Sequence, residues 1–382
     1  MDWRKIREDS EKNLSPYAVR SAESVGRKVA EEKCPIRTDF ERDHNRILYS
    51  VDFRRLRHKT QVFFNAKNDH ICTRMEHVLY VAAITATITR TLNLNQDLAY
   101  AIALGHDMGH APFGHSGERV LDRCVKSIDS KNFFEHETHS LRVADRLARR
   151  IAGEGRIARK GLNLTFEVRD GIVCHCGEKY SEYCIVPDFS KTPDRLFEAD
   201  IRQQNPATME GCVVRLADKI AYVGRDIEDA VRVGMMSIDD ISKDVLGELG
   251  FTNGQIINTL VSDLIGNSYE KPCIALSREK GEALEELIHE NVRMIYQAER
   301  IAEYEKSMSN TMEGLFWGLH KALQKGAESL ENADEKVLRR FGDYLKVQDY
   351  GEKEQPEQKV LDFVAGMTDS FALQCYEELY WM

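Results

Sequence analysis

The sequence predicts a mainly α-helical chain, and three observations carry that prediction. There are only eight prolines in 382 residues, far below the roughly 5% usual in proteins. Long stretches repeat apolar residues at three- and four-residue spacing, the period of one helix face. Hydrophobic residues make up 42% of the chain, ample for a core at this length.

The elements follow in order. Met75, Val78, Leu79, Ala82 and Ala86 mark one amphipathic helix, and Leu98, Ala99, Ile102 and Ala103 mark the next. Over 161–193 the chain reads "GLNLTFEVRDGIVCHCGEKYSEYCIVPDF" and onward, where β-branched and turn residues predict a short hairpin or irregular excursion. "GCVVRLADKIAYVGRDIEDAVRV" predicts a long helix with Val213, Ile220, Val223 and Ile227 facing the core. Asp218, Tyr222 and Asp226, at i, i+4 and i+8, share another face. Beyond Ser237 the helical pattern runs on, broken by the polar linker "VQDYGEKEQPEQK". No internal repeat or low-complexity tract is present.

A formal net charge of −10 and nine cysteines narrow the class. Duplex nucleic acid calls for a broad basic face, so it is not expected as the main partner. The basic stretch Phe53–Lys59, "FRRLRHK", reads equally as a phosphate contact or a solvated face. The second, Asp145–Lys160, "DRLARRIAGEGRIARK", reads as a solvated helix face. The N-terminus is charged from its second residue, and no apolar run approaches the roughly 18 residues of a membrane span. Without an export or membrane segment, the cysteines are expected to be reduced and the location cytoplasmic. Cys174, His175, Cys176 and Cys184 lack the paired C-x₂-C spacing of a structural zinc site, which favours buried thiols with His175 on the rim of a site.

The densest chemistry is "ALGHDMGHAPFGHSGE", Ala103–Glu118, with three histidines, two carboxylates and four glycines. His77 lies in an apolar helix three residues after Arg74. His106 and Asp107 close the following helix between Gly105 and Gly109, and Asp218 sits on the long helix. Two imidazoles and two carboxylates suit one divalent cation, Mn²⁺, Fe²⁺, Co²⁺ or Zn²⁺ among them. Alone, the Asp218 stripe would be a solvated acidic face.

This set, His77, His106-Asp107 and Asp218, resembles the HD superfamily of metal-dependent phosphohydrolases, a helical fold. "RTDFERDHNRILYSVDFRRLRHKTQVF" (37–63), "GHDMGHAPFGHSGE", "FEHETHSLR" (134–142), "LADKIAYVGRDIEDA" (216–230) and "VAGMTDSFAL" (364–373) look like successive blocks of the dGTPase-like deoxynucleoside triphosphate triphosphohydrolases. The resemblance implies an N-terminal segment (1–36), an HD core (37–236) and a C-terminal helical region packed on it (237–382). It implies water attack at the α-phosphorus of a dNTP, releasing deoxynucleoside and triphosphate. One divalent metal per site, manganese foremost and Mg²⁺ also admissible, would sit on His77, His106, Asp107 and Asp218. By the same resemblance His115 is the proton donor to the sugar oxygen, Glu118 orients it, and His136 is a second acid-base candidate. Arg74, His110 and Lys219 would contact phosphate; Gln61, Tyr222 and Asp226 would surround the sugar, with the Tyr222 ring excluding a 2′-hydroxyl. A homo-oligomer and a nucleotide effector are further implications. Glu137 and His139 depart from the asparagine and glutamine of many members. The alternatives are an HD nucleotidase or phosphodiesterase acting on another nucleotide, and an inactive nucleotide sensor.

Overall fold

A computed structural model describes residues 1–63, 70–152, 156–176 and 181–381. The Met75 series lies on a helix spanning Arg74–Thr91, opened by a capping box in which Thr73 and Glu76 satisfy each other's backbone N–H groups. Val78 and Ala82 are buried, but Leu79 is 45% exposed. The buried stripe is rotated because Arg74 and His77 are themselves buried in it. An apolar pattern cannot register two polar side chains turned inward.

The next helix, Gln96–Gly105, is capped by the Asn95 side chain and buries Leu98, Ala99, Ile102 and Ala103 as expected. The long helix, Met209–Arg232, buries Val213, Ile220, Val223 and Ile227. Near the C-terminus the helices Lys336–Gln348 and Pro356–Ala365 leave a linker at 349–355, shorter than the polar stretch read from sequence. Among the described residues no helix is long and apolar enough to cross a membrane.

The β structure falls elsewhere than expected. The antiparallel hairpin of β1 (Arg149–Ala152) and β2 (Arg156–Lys160) lies inside the basic stretch read as a helix face. Its side chains reach the ends of the chain: Arg150 donates to Glu31 at 2.8 Å and Arg149 to Gln348 at 3.2 Å. The 161–193 stretch instead opens with a helix, Phe166–Val173. Each of its residues is buried, with Glu167, Arg169 and Asp170 engaged by Ser24, Asp145 and Lys191, so it carries no amphipathic period to read. Further on, β3 (Cys184–Ile185) pairs antiparallel with β4 (Ile274–Ala275). Residues 177–180 of that stretch, like 153–155 of the basic one, lie outside the described residues.

Among the described residues the two larger of three hydrophobic cores interleave along the chain. The first joins Phe40 through Leu104, the long helix and Ile241 through Ile295. The second joins Ala111, Phe113 and the inner face of the helix Gly114–Ile128 to the helices Glu299–Gln324, Pro356–Ala365 and Asp369–Tyr380. The histidine-rich turn is therefore the crossing from one core to the other.

Gly109 sits in that crossing under a close backbone approach. A Cβ there would lie 2.1 Å from the Ser140 nitrogen and 2.5 Å from the His139 carbonyl carbon. Gly109→Ala is expected to lower unfolding free energy by about 2 kcal/mol, within the range of overpacked cores. Gly254→Ala, where nothing lies within 4 Å, should be neutral or gain up to about 1 kcal/mol. Urea midpoints at unchanged slope measure both, and equal midpoints for the two variants would refute the close approach.

Candidate active site

The Arg74–Thr91 helix delivers His77, the turn after Gly105 delivers His106 and Asp107, and the long helix delivers Asp218. His77 Nε2 lies 2.8 Å from Asp218 Oδ1, and His106 Nε2 lies 3.6 Å from Asp107 and 3.9 Å from Asp218. Burial alone would raise the Asp107 pKa, but His106, His110 and the Arg74 guanidinium override it and hold the carboxyl well below its ordinary range. Asp218 is drawn down to about 2, burial being outweighed chiefly by His77. Both carboxylates are thus ionised at neutral pH.

The donor set fits a divalent cation. His106 Nδ1 is 2.7 Å from the Ala103 carbonyl, so that nitrogen is the donor and the Nε2 lone pair faces the cluster. That Nε2 is buried with no hydrogen-bond partner, the condition of a metal-ligating imidazole rather than a satisfied core histidine. His77, His106 and Asp107 form one group with donor atoms within 4.8 Å of one another, and His106, Asp218 and His175 form a second.

A proton-handling array adjoins this cluster. Glu118 is one turn into the Gly114–Ile128 helix, 3.1 Å from His115 Nδ1 and 3.0 Å from His136 Nδ1. The His136 ring stacks on His110 at 3.9 Å between centroids, and His110 Nε2 is 3.3 Å from Asp107. Burial lowers the His136 pKa, yet Glu137 and Glu118 carry it up to about 10, while burial, Arg74 and His136 hold His110 well below its ordinary value. Two stacked imidazoles therefore differ in charge, His136 cationic and His110 neutral. His115 remains 62% exposed at its side chain, open to a ligand.

Arg74 links the metal-type cluster to the preceding loop. Its Nη1 donates to Asp107 at 2.8 Å, Nε to the Thr60 carbonyl at 3.3 Å and Nη2 to the Gln61 carbonyl at 3.4 Å. The Gln61 side-chain oxygen is buried without a hydrogen-bond partner. Tyr222 is half-buried on the same helix as Asp218. The array does not gather every expected residue in the same way. Lys219 lies 3.8 Å from Glu182, and Asp226 accepts from the Tyr296 hydroxyl, with burial pushing its pKa up to about 7.

Several readings are corrected. His175 is not on a rim: it is 1% exposed, donates through Nδ1 to the Ile172 carbonyl at 2.6 Å, and its ring meets His106 at 4.8 Å. Cys174 is the buried thiol expected, hydrogen-bonded with Ile201 and Lys191, but Cys184 is exposed. In "FRRLRHK", Lys59 belongs to neither reading. It is 2% exposed, and its ammonium donates to the carbonyls of His110 and, at 2.8 Å, Ala365. Glu137 and His139 are buried; Glu137 meets Arg202 at 3.2 Å, and burial drives the His139 pKa down to about 4. Sequence reading missed Tyr296, which comes from a π-helical turn, Val292–Tyr296. Wide turns of this kind often mark functional sites, but the primary structure carries no motif for one.

Comparison with known proteins gives the family. The HD domain family matches residues 74–223, and the phosphohydrolase-associated domain matches 274–378. A deoxyguanosinetriphosphate triphosphohydrolase-like protein of Caldanaerobacter subterraneus subsp. tengcongensis is 41% identical across the whole chain and 96% of its own length. A protein of the same description from Desulfatibacillum aliphaticivorans is 38% identical over 96% of this chain and 94% of its own. Another, from Clostridium tetani, is 34% identical over 100% and 97%. With an HD domain, its associated domain and full-length relatives above 30% identity, the chain belongs to the deoxyguanosinetriphosphate triphosphohydrolase-like family of HD-domain phosphohydrolases.

Proposed function

We propose that the chain hydrolyses deoxynucleoside triphosphates at the α-phosphorus, releasing deoxynucleoside and inorganic triphosphate. The observation that carries this reading is Glu118 held between His115 and His136 beside the His77, His106, Asp107 and Asp218 cluster. A divalent cation on those four residues, manganese foremost, supplies polarisation of an α-phosphate oxygen and of the attacking water. The chain's own groups do the rest. The His136 imidazolium and Arg74 place fixed positive charge where a polyanion must sit, and His110 offers a neutral ring between them. Lys219 adds a cation once it turns from Glu182. His115, open to ligand and backed by Glu118, delivers a proton to the departing 5′-oxygen, a poor leaving group without one. Gln61, Tyr222 and Asp226 enclose the deoxyribose, and the buried Asp226 faces the 3′-hydroxyl. The chain acts in the cytoplasm, as a homo-oligomer.

Metal dependence is the first test. His106→Ala or Asp218→Ala is expected to lose bound metal and essentially all turnover, since ligands of one cation act as a unit. Wild-type metal content in the purified Asp218→Ala variant, read by elemental analysis, would overturn the assignment. His115→Ala should keep the metal while kcat drops roughly 10²- to 10⁴-fold, the range of a lost general acid; an unchanged kcat moves the role to His136.

The bond broken is the second. In ¹⁸O-water the label should enter triphosphate and not the nucleoside. A ribonucleotide should react more slowly, by about 1 to 3 kcal/mol in the barrier, because its 2′-hydroxyl would be buried unpaired against Tyr222. A survey of all dNTPs and NTPs that yields orthophosphate or pyrophosphate, or equal rates for both sugars, points instead to a general HD nucleotidase.

The pH profile is the third. The folded pKa of His136 stands above its ordinary value, so the stability its charge confers is full below about pH 6.5, and the charge itself persists well above that. Both are lost as pH rises through about 10. Glu118→Gln removes one of the carboxylates that hold it up, so an NMR titration of His136 should move to lower pH. An unmoved midpoint refutes the coupling.

A further inference from the structure

Asp369 opens the helix Asp369–Tyr380 in the second core, and its two carboxylate oxygens tie a loop on the side of the first core to the turn that leads into the His115 helix. Oδ2 accepts the Thr60 N–H at 2.8 Å and Oδ1 the Phe113 N–H at 2.9 Å. Thr60 immediately precedes Gln61, and Phe113 precedes His115 by two residues. The carboxylate is 5% exposed, so water does not substitute for either donor cheaply.

The Phe113 bond secures an uncommon backbone. Phe113 and Gly114 have φ of 61° and 60°, consecutive left-handed residues at the start of the His115 helix. A bulky residue keeps that costly conformation only where its surroundings enforce it. The Phe113 ring is buried in the second core, its N–H is held by Asp369, and Gly114 has no room to spare: a Cβ there would lie 3.2 Å from the Gln61 carbonyl. Lys59 makes a parallel tie. Its ammonium joins the His110 carbonyl to that of Ala365, at the end of the preceding helix.

We infer that Asp369 is a positioning residue: resting on the function proposed above, its carboxylate fixes the separation between Gln61 at the sugar and His115 at the 5′-oxygen, with Lys59 fixing His110 on the same frame. It touches neither substrate nor metal ligands. The associated domain thus sets the reach of the general acid, and a shift of about 1 Å there is enough to cost on the order of 100-fold in rate.

The test uses the full-length, metal-loaded chain and two near-isosteric variants, Asp369→Asn and Lys59→Met. Asp369→Asn turns one accepting oxygen into a donor facing a donor. It is expected to raise deuterium uptake in peptides covering 59–61 and 111–115, leave metal content at the wild-type value, and lower kcat for the best dNTP at least tenfold with KM within threefold. Lys59→Met should raise uptake around 108–113 without affecting Thr60. Unchanged uptake at both loops in Asp369→Asn, or raised uptake with an unchanged kcat, overturns the inference. A wild-type chain that cleaves no dNTP overturns the proposed function instead. The inference is then judged by deuterium uptake at 59–61 and 111–115 in Asp369→Asn, where no change overturns it.

Discussion

The structure around the candidate site depends on one buried charge, the carboxylate of Asp107. An ionised carboxylate in a protein interior costs several kcal/mol unless it is paired and hydrogen-bonded. Asp107 is 3% exposed and meets Arg74 at 2.8 Å, His110 at 3.3 Å and His106 at 3.6 Å. Pairing it buries Arg74 to 1% exposure on the first turn of its helix, which rotates that helix about its axis. The remaining guanidinium nitrogens, taken out of water, find the carbonyls of Thr60 and Gln61. One charge therefore fixes a helix orientation and a distant loop together.

A second consequence concerns charge balance among the histidines. His110 is buried, shares Asp107 with Arg74 and stacks on His136, so burial first and then two cations suppress its protonation. His136 faces Glu118 and Glu137 and is driven the other way. Environments that separate the pKa values of neighbouring groups are the usual means of assigning acid and base roles at neutral pH. The asymmetry here arises from which carboxylate each ring meets, since both rings are fully buried.

This arrangement explains how much the sequence disclosed. His77, His106 and Asp107 could be grouped from the sequence because each belongs to a short run whose spacing fixes it on one turn or one helix face, whereas the roles given to His115 and Glu118 came from the resemblance. Asp218 was read as a ligand only together with those three, since its stripe alone reads as solvated acid. His175 and Tyr296 arrive from separate elements, the end of a helix buried on every side and a π-helical turn, where periodicity has nothing to report. The hairpin was misplaced for a related reason: arginines in β1 were read as a solvated face, whereas Arg149 and Arg150 are tied to Gln348 and Glu31. Partners far apart in sequence decide such cases, and no local window contains them.

The interleaving of the two cores gives the C-terminal region a part in the site itself. The helix bearing His115 and Glu118 buries Val120, Leu121 and Cys124 against the C-terminal helices, while His77, His106 and Asp218 belong to elements of the first core. Ser116 and Arg119 extend the attachment, meeting Glu305 on the helix Glu299–Gln324. The groups proposed to hold metal and the group proposed to move a proton are thus mounted on different bodies of packed side chains. Their relative placement is then set by the polar bonds that cross between those bodies, Lys59 to Ala365 and Asp369 to Thr60 among them. A sliding of the cores by a fraction of a residue would leave both well packed and the site out of register. Packing alone is non-directional, whereas hydrogen bonds fix direction and distance. That difference is the physical reason for polar ties at a boundary that apolar contact already seals.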